Sequence, residues 1–392
     1  MTLSPEVAAA HLLTTSAIRE RCENILTAGL HDKLKYFKVN IDGLSEVATK
    51  VVEVTRKNYP KLEIPYHSRW NHFRVGGHDR LKGLELSGRD QFALVIQSVL
   101  LDAGAGPDWH YKDAQVGGDY SRSEGLAVAS LRMFEAGQLA GDSTSLKAFS
   151  AEILAKGFQV SDQNPLRGLE GRAGLVRDLG KAVEDNPEIF KAGSLGGMFD
   201  YLVAAAVNKK LPATSILTAV LDGLGPIWPD RISLAGINLG DVWQHPFAGG
   251  AGSGAGLVPF HKLSQWLSYS LVEPLEWSGI TVTGLDDLTG LAEYRNGGLF
   301  FDIGTIALKE PDLVKQAHKP SSELVIEWRA LTVALLDRLA PLVREKLGLS
   351  ASELPLAKIL EGGTWATGRE LAYERRPNGA PPIQLISDGT VF

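Results

Sequence analysis

The chain has 392 residues, of which 44% are hydrophobic and 22% charged, and its net charge is −6. These proportions are ordinary for a globular protein with a sizeable core. The acidic balance argues against a protein that mainly grips nucleic-acid backbones, because that function needs a basic surface. A local pocket for one phosphate remains compatible with it.

The single cysteine, Cys22, excludes a disulfide framework and a cysteine-based zinc site. No run of about 18 apolar residues indicates a transmembrane helix. The first 22 residues are too polar for a secretory signal. We therefore expect a cytoplasmic protein with no membrane partner.

Helical patterns dominate the first third of the chain. Ser4-Pro5-Glu6 is typical of a helix start, and apolar spacing predicts helices near residues 17–26 and 44–54. Residues 57–86 are irregular and rich in proline, histidine and arginine. They predict a division into an N-terminal helical region, 1–86, and a main helical domain, 87–392, packed together as one compact unit.

A capping-box pattern at Ser87 and Asp90 precedes apolar residues at helical spacing up to Leu100, which predicts a helix. Glycines and Pro107 end it. Further helices are predicted over 124–158, with a break at 137–141, and over 170–220.

The last third of the chain adds further helices and the few strand signals. A helix is predicted from Phe260 to Leu271, and a long one runs from Ser321 or Ser322 to about Lys346, with a kink at Pro341. Residues 279–284 predict a strand, and Asp388-Gly389 a hairpin. The expected fold is mainly α with a small antiparallel β element.

Residues 287–308 place two carboxylates in an apolar setting. Glu293 is followed by Tyr294 and Arg295, and Asp302 lies in the apolar run 299–308. Acidic side chains are rarely buried without a partner, and Arg295 is the partner we expect. A straight helix would not put residues nine apart on one face, but a break at Gly297-Gly298 would allow it.

The glycine-rich stretch 249–256, GGAGSGAG, comes shortly before the helix that starts near residue 259. Backbone N–H groups at a helix start hold phosphates, and Lys262 adds charge. The stretch follows no predicted strand and is neither a P-loop nor a dinucleotide fingerprint. A flexible surface loop is the alternative interpretation.

Three histidines, His67, His72 and His78, lie in the irregular segment at spacings of five and six. Zinc sites on helices favour a spacing of four with a further ligand. Substrate contact or structural hydrogen bonding is therefore the expected role, and no metal is expected.

The segment Ser68–Phe73 joins a fork-shaped donor to aromatic rings. Arg69 is suited to gripping a phosphate or carboxylate through two hydrogen bonds, while Trp70 and Phe73 are suited to stacking on a ring or capping a sugar. His72 adds a hydrogen-bonding imidazole. The alternative is an arginine–tryptophan packing pair.

Asp102 closes the helix that begins near Ser87, and Trp109 follows a rigid Gly/Pro turn. The helix dipole disfavours an aspartate at this end, which favours a functional carboxylate over a solvated helix stop. No Gly-x-Ser-x-Gly motif is present, and Cys22 forms no recognisable catalytic set. Carboxylate chemistry is what remains.

Several motifs resemble the uracil-catabolism protein family of fungi and bacteria, and the resemblance runs nearly end to end. They are Ser68–Phe73, Leu101–Trp109, Glu361–Trp365 and Ser387–Phe392. The resemblance implies a uracil-degrading route that opens the pyrimidine ring at the nucleotide level, with ribosylurea-type intermediates.

A second resemblance concerns mechanism. Leu288–Arg295 is similar to the Asp-Tyr-Arg stretch of queuosine-salvage N-glycosylases, and Phe260–Gln265 to their Tyr-Lys-x-x-Gln helix. Those enzymes resemble helix-hairpin-helix glycosylases in fold and cleave the N-glycosidic bond of a nucleoside 5′-phosphate. This chain has Glu293 where they have aspartate, and Asn296-Gly297-Gly298 where they have Val-Pro-Gln.

Together the resemblances imply hydrolysis of a ribosylurea 5′-phosphate to urea and a ribose phosphate, without a cofactor. The transition state has oxocarbenium character. Glu293 would either stabilise its positive charge or activate the attacking water. Asp302 or Asp102 would assist the leaving group. The implied substrate-binding residues are Arg69, Trp70, His72, Phe73, Trp109, His261, Lys262, Gln265, Tyr294 and Arg295.

Two other functions remain open at this point. An amidohydrolase or deaminase acting on the ureido group usually needs a metal cluster or an activated nucleophile. A non-catalytic scaffold for other pathway enzymes predicts a large exposed apolar patch. The expected partner is a small ribosyl phosphate rather than nucleic acid, and a homo-oligomer stays open.

Overall fold

The computed structural model describes residues 4–229 and 231–386. The α-helices in chain order are α1 Pro5–Leu12, α2 Thr15–Leu30, α3 Leu44–Asn58, α4 Arg69–His72, α5 Gly88–Leu100, α6 Arg122–Glu135, α7 Ser143–Lys147, α8 Ala151–Gly157, α9 Leu169–Asp185, α10 Gly197–Ala205, α11 Ala213–Leu224, α12 Lys262–Trp277, α13 Tyr294–Ile303, α14 Glu323–Leu347, α15 Leu356–Ile359 and α16 Trp365–Arg375. A π-helical turn, Leu360–Thr364, joins α15 to α16.

Among the described residues, the strands are short and pair only in twos. Antiparallel pairs are β1 Phe37–Val39 with β10 Ile306–Leu308, β2 His110–Lys112 with β3 Asp119–Ser121, β5 Ser233–Leu234 with β6 Ile237–Asn238, and β7 Val242–Gln244 with β8 Leu257–Pro259. Parallel pairs are β4 Lys210–Pro212 with β9 Thr281–Thr283, and β11 Ala317–His318 with β12 Gln384–Leu385. The prediction of a mainly α fold with small antiparallel β elements is confirmed, and two parallel pairs accompany them.

The chain divides into two compact units, each built from separate segments. Unit 1 contains residues 4–67, 231–265 and 285–386 of the described chain, and unit 2 contains residues 68–229 and 266–284. Helix α12 contributes its first residues to unit 1 and the rest to unit 2. The sequence-based division at residue 86 stays a prediction.

In unit 1 the long helix α14 packs against α2 and α3. Its first half is buried on all sides, from Leu324 to Leu336, and its second half is buried on one face, as expected where a helix is apolar on most sides and then amphipathic. Ser322 precedes it and Pro341 lies inside it. The predicted start and length are confirmed.

In unit 2 helix α5 packs against α6. The side chain of Ser87 accepts from the N–H of Asp90, and the Asp90 carboxylate accepts from the N–H of Ser87. The predicted capping box is therefore confirmed. Among the described residues, no helix is long and apolar enough to cross a membrane.

Three local predictions need correction or fall outside the structure. Gly297 and Gly298 do not break a helix, because both lie inside α13. The glycine-rich loop 249–256 follows strand β7, and β8 separates it from α12, so it does not form the start of that helix. The predicted hairpin at Asp388-Gly389 lies outside the described residues.

Candidate active site

Glu293 is the N-terminal cap of α13 in unit 1. Its two carboxylate oxygens accept from the backbone N–H of Asn296 at 2.6 Å and of Arg295 at 2.7 Å. The residue is 7% exposed. A carboxylate at this position satisfies two otherwise unpaired donors and faces the positive end of the helix dipole. The sequence favours this geometry because Glu293 directly precedes the helical run.

The side chain of Asn296 connects α13 to the π-helical turn. Its Oδ1 accepts from the Thr364 hydroxyl at 2.8 Å, and its Nδ2 donates to the carbonyl of Leu291 at 3.3 Å. Both Asn296 and Thr364 are fully buried. Segments 287–308 and 361–365, which the sequence analysis considered separately, therefore meet. π-Helical turns are frequent at functional sites.

Asp302 is paired with Arg376, not with Arg295 as predicted. Two hydrogen bonds of 2.6 Å join the guanidinium of Arg376 to the Asp302 carboxylate. Arg295 donates to the carbonyl of Gly379 at 2.8 Å, and its guanidinium lies 5.0 Å from the ring centre of Tyr294. The prediction failed because Arg376 is 74 residues from Asp302, beyond the reach of local spacing.

The start of α12 lies in the same unit as Glu293 and is connected to the segment before it. Gln265 is fully buried, and its Oε1 accepts from the backbone N–H of Thr289 at 3.4 Å. His261 is 1% exposed and has a positive φ of 47°. A strained residue of this kind is often found at a functional site.

An ion pair between Asp241 and Arg329 contacts the first residue of α12. The Arg329 guanidinium donates to both oxygens of Asp241 at 2.8 and 2.7 Å, and the backbone N–H of Lys262 donates to Asp241 at 3.0 Å. Arg329 also donates to the carbonyl of Ala292 at 3.4 Å. Burial is the largest single influence and acts to raise the pKa of Asp241. The Arg329 charge and the hydrogen bonds from Arg329, Trp243 and the Lys262 N–H together outweigh burial and hold that pKa well below its usual value.

In unit 1, three buried polar atoms of predicted site residues have no hydrogen-bond partner among the described residues. They are Nδ1 of His261, Nε2 of Gln265 and Nε of Arg295. Buried polar groups in native proteins are nearly always satisfied by protein, water or ligand. Unit 1 therefore brings together the predicted residues His261, Lys262, Gln265, Glu293, Tyr294 and Arg295, with unused hydrogen-bonding capacity among them.

Asp102 and Arg69 belong to unit 2, where they form a buried network. Nη1 of Arg69 lies 3.3 Å from Oδ1 of Asp102, and the Ser123 hydroxyl donates to the other carboxylate oxygen at 2.6 Å. Nε of Arg69 donates to the Ser98 hydroxyl at 2.6 Å. Because Arg69 is fully buried and its donors are engaged, it is placed to position Asp102. Its direct contact with a phosphate stays a prediction.

The buried Arg172 explains how an aspartate is tolerated at the end of α5. Its guanidinium donates to the carbonyls of Leu101, Ala103 and Gly104. Burial lowers the pKa of Arg172 to about 10. The dipole argument for a functional Asp102 is therefore weakened, because a cation already compensates this helix end.

The predicted aromatic residues are core residues of unit 2. Trp70 donates its indole N–H to the carbonyl of Ser270 at 2.8 Å, and Phe73 meets it edge to face at 5.6 Å. Trp109 donates to the carbonyl of Phe158 at 2.9 Å. Each is at most 1% exposed. Their role as pocket walls stays a prediction.

The histidines of the irregular segment have separate surroundings. Nδ1 of His67, in unit 1, lies 2.7 Å from a carboxylate oxygen of Glu361. His72, in unit 2, meets the ring of Trp266 edge to face at 5.7 Å. Substrate contact by His72 stays a prediction.

Residues 11–392 match the family model described as a protein of unknown function, DUF1688. The chain belongs to this family. It is 40% identical over 407 residues to "Protein urg3" of Schizosaccharomyces pombe, covering 98% of each chain. It is 38% identical over 408 residues to "Uracil catabolism protein 4" of Lachancea kluyveri, covering 91% of this chain and 92% of that protein. The family predicted from the sequence is confirmed.

In this DUF1688 member, sequence reasoning missed Asp241, Arg329, Asn296 and Thr364. A signal for Arg329 was present, because a charge inside the apolar run 324–336 needs a buried partner. Asp241 carries no comparable signal, since it lies in a loop-rich span. The bond between Asn296 and Thr364 depends on tertiary contact alone.

Within the described residues, His245, Glu323 and Glu327 offer ligand atoms that lie within 4.8 Å of one another. The group is poorly suited to a metal ion. Nδ1 of His245 accepts from the backbone N–H of Phe247 at 3.2 Å, so Nε2 carries the ring proton and has no lone pair to offer. Glu327 already accepts from three backbone N–H groups, those of residues 35–37.

Proposed function

We propose that this protein is a hydrolase of uracil catabolism that cleaves the N-glycosidic bond of a ribosylurea 5′-phosphate. The name of the Lachancea kluyveri relative supports the pathway. The observation that carries the proposed chemistry is the buried Glu293 carboxylate, which two backbone N–H groups hold in one orientation.

In the proposed reaction, the bond between C1′ of the ribose and the ureido nitrogen breaks. A water oxygen bonds to C1′, one water proton goes to the departing nitrogen, and urea and ribose 5-phosphate are released. Positive charge develops at C1′ in the transition state. Glu293 stabilises this charge or takes from the water the proton that ends on the departing nitrogen, because an ionised carboxylate that accepts two hydrogen bonds still has lone pairs available. The second water proton stays on the new C1′ hydroxyl.

The cations of unit 1 are the proposed phosphate ligands. Arg295 is buried and has an unused Nε donor, and Lys262 lies at the start of α12, where its charge adds to that of the helix N-terminus. Asp302 has a supporting role, since both of its oxygens are bonded to Arg376. Assistance to the leaving group by Asp102 stays a prediction.

The test is incubation of the purified full chain with ribosylurea 5′-phosphate, followed by quantification of urea and ribose 5-phosphate. We expect both products in equal amounts from the wild type. Glu293→Ser should lower the rate at least 100-fold, which corresponds to about 2.7 kcal/mol of transition-state stabilisation. Glu345→Gln, a change at an exposed glutamate, is the control and should leave the rate unchanged.

Absence of both products would overturn the proposal. Activity that disappears on chelation and returns with a divalent metal would instead favour a metal-dependent amidohydrolase. Ammonia in place of urea as the first product would point to the same alternative.

A further inference from the structure

Two of the unpaired buried atoms in unit 1 belong to residues that are four apart in the chain, at the start of α12. Nδ1 of His261 and Nε2 of Gln265 are both without a hydrogen-bond partner among the described residues. His261 is 1% exposed and Gln265 is fully buried. The backbone N–H of Gln265 donates to the carbonyl of His261 at 2.8 Å, so the two residues are related as i and i+4. This bond holds the residue before α12 and the first turn of α12 close together.

The tautomer of His261 follows from its other contact. Nε2 lies 2.9 Å from the carbonyl oxygen of Leu12, which only accepts hydrogen bonds. Nε2 therefore carries the proton and donates, and in the neutral ring Nδ1 has a lone pair. Burial lowers the pKa of His261, against the opposing influence of the Leu12 hydrogen bond and of Asp241. The ring is thus kept neutral, and Nδ1 is an acceptor.

The orientation of the Gln265 amide is fixed in the same way. The backbone N–H of Thr289 donates at 3.4 Å to the side-chain oxygen of Gln265. The opposite end of the amide is therefore the NH2 group, which is a donor. The residue before α12 and the first turn of α12 thus supply one buried acceptor and one buried donor.

An acceptor beside a donor is complementary to an N–H group beside a carbonyl. This combination occurs along one edge of a ureido group, an amide or a pyrimidine dione. It does not occur in the dianion of a phosphate monoester, which offers acceptors only, and a hydrocarbon offers neither group. A site with such fixed polar groups discriminates strongly against ligands that leave them unpaired.

We propose that His261 and Gln265 recognise the ureido end of the ligand, with Gln265 donating to its carbonyl oxygen and His261 accepting from its N–H. This inference rests on the proposed function, whose leaving group it identifies by its hydrogen bonds. Both residues are binding groups in this assignment. The neutral Nδ1 has no proton to give to the leaving nitrogen.

The test measures binding by calorimetry in the full chain carrying Glu293→Ser, which prevents turnover. The probes are ribosylurea 5′-phosphate and ribose 5-phosphate, which differ in the ureido group. In this background we expect the ureide to bind at least tenfold more tightly. Adding Gln265→Met, which keeps the side-chain length and removes the donor, should abolish that preference and leave the affinity for ribose 5-phosphate unchanged.

Variants at His261 test the same assignment independently, in case Gln265→Met does not fold. His261→Asn keeps a short polar side chain that tolerates the positive φ and can place an amide oxygen near the position of Nδ1. It should retain most of the preference, whereas His261→Gly, which also tolerates the backbone conformation, should lose it. Circular dichroism and thermal unfolding are measured for every variant.

The outcomes separate this inference from the proposed function. One outcome is that the wild type hydrolyses the ureide while the Gln265→Met and His261→Gly variants keep the preference for it. That result overturns the assignment of His261 and Gln265 and leaves the proposed function standing, as expected if ordered water alone bonds to these two groups. Preferential binding of the ureide that depends on Gln265, without hydrolysis, supports the pair and overturns the function.

Discussion

The Thr364 hydroxyl donates to the side-chain oxygen of Asn296 over 2.8 Å, and this bond joins the π-helical turn to the helix that Glu293 caps. Both residues are fully buried. Because Asn296 also supplies one of the two N–H groups that hold Glu293, the π-turn acts on the orientation of the carboxylate through a single intermediate residue.

Thr364→Val should lower the free energy of unfolding by about 1–3 kcal/mol, because it leaves the buried Asn296 oxygen without a donor. Chemical denaturation measures the change. Thr49→Val is the matched control, since the Thr49 hydroxyl bonds to a carbonyl within an exposed helix face. It should change stability by no more than about 0.5 kcal/mol. Equal effects of the two substitutions would show that the bond does not anchor the turn.

Two substitutions at Glu293 separate helix capping from catalysis. Serine is a strong helix cap and alanine is not, so Glu293→Ala should cost about 1 kcal/mol more stability than Glu293→Ser. If Glu293 is the catalytic carboxylate, both variants lose at least 100-fold in the rate of urea release. A Glu293→Ser protein with normal activity would reduce this residue to a cap.

The ion pair of Asp302 and Arg376 should respond unequally to loss of its two members. The Asp302 side chain is 2% exposed and that of Arg376 is 21% exposed. Arg376→Met leaves a buried, unpaired carboxylate and should cost about 3 kcal/mol or more. Asp302→Asn leaves the more exposed Arg376 cation unpaired and should lower the free energy of unfolding by about half as much. Both are measured by chemical denaturation.

The same pair tests which carboxylate performs the chemistry. Folded Asp302→Asn protein should release urea at close to the wild-type rate, because Asp302 is engaged with Arg376 rather than with substrate. A loss of activity as large as that of Glu293→Ser, in a variant that remains folded, would place Asp302 in the reaction.

The sequence predicted those elements that are specified by residues close together in the chain. The capping box of Ser87 and the apolar spacing after it specify α5 within a few residues, and both are present. The pairing of Asp302 failed for the opposite reason, since its partner lies 74 residues away. The Asp241–Arg329 pair, which spans 88 residues, was missed for the same reason. Residues 287–308 were identified as important, but their contacts required the fold.

Acid should weaken the protein through Asp241. Its folded pKa lies below the ordinary value of 3.8, so its contribution to stability is complete above pH 3.8 and is lost as pH falls from there toward the folded pKa. Below pH 3.8 the unfolded state binds one more proton than the folded state at this site. The free energy of unfolding of the wild type should therefore fall more steeply than that of Asp241→Asn, by up to about 1.4 kcal/mol per pH unit.

Denaturant titrations of both proteins between pH 5 and pH 2.5 provide the comparison. Because the remaining carboxylates are common to the two proteins, the difference between the curves isolates this residue. Parallel curves would mean that Arg329 does not hold the Asp241 carboxylate in its ionised form.

The two adjacent glycines of α13 should differ sharply when each is replaced by alanine. A Cβ at position 297 would lie 2.6 Å from Nε1 of Trp328 and 2.8 Å from the hydroxyl oxygen of Thr332, both on α14. A Cβ at position 298 would meet only Pro382, at 3.3 Å. Gly297→Ala should therefore lower the free energy of unfolding by about 1–3 kcal/mol through overpacking. Gly298→Ala should leave it nearly unchanged, because the gain in helix propensity, up to about 1 kcal/mol, offsets the tighter contact with Pro382.

Thermal and chemical unfolding of the two variants decide the matter, and each serves as the control for the other. The expected difference arises because Gly297 permits the close approach of α13 to α14, while its neighbour does not face that helix. If the two substitutions destabilise the protein equally, helix flexibility at the glycine pair, rather than packing at Gly297 alone, is what the fold requires.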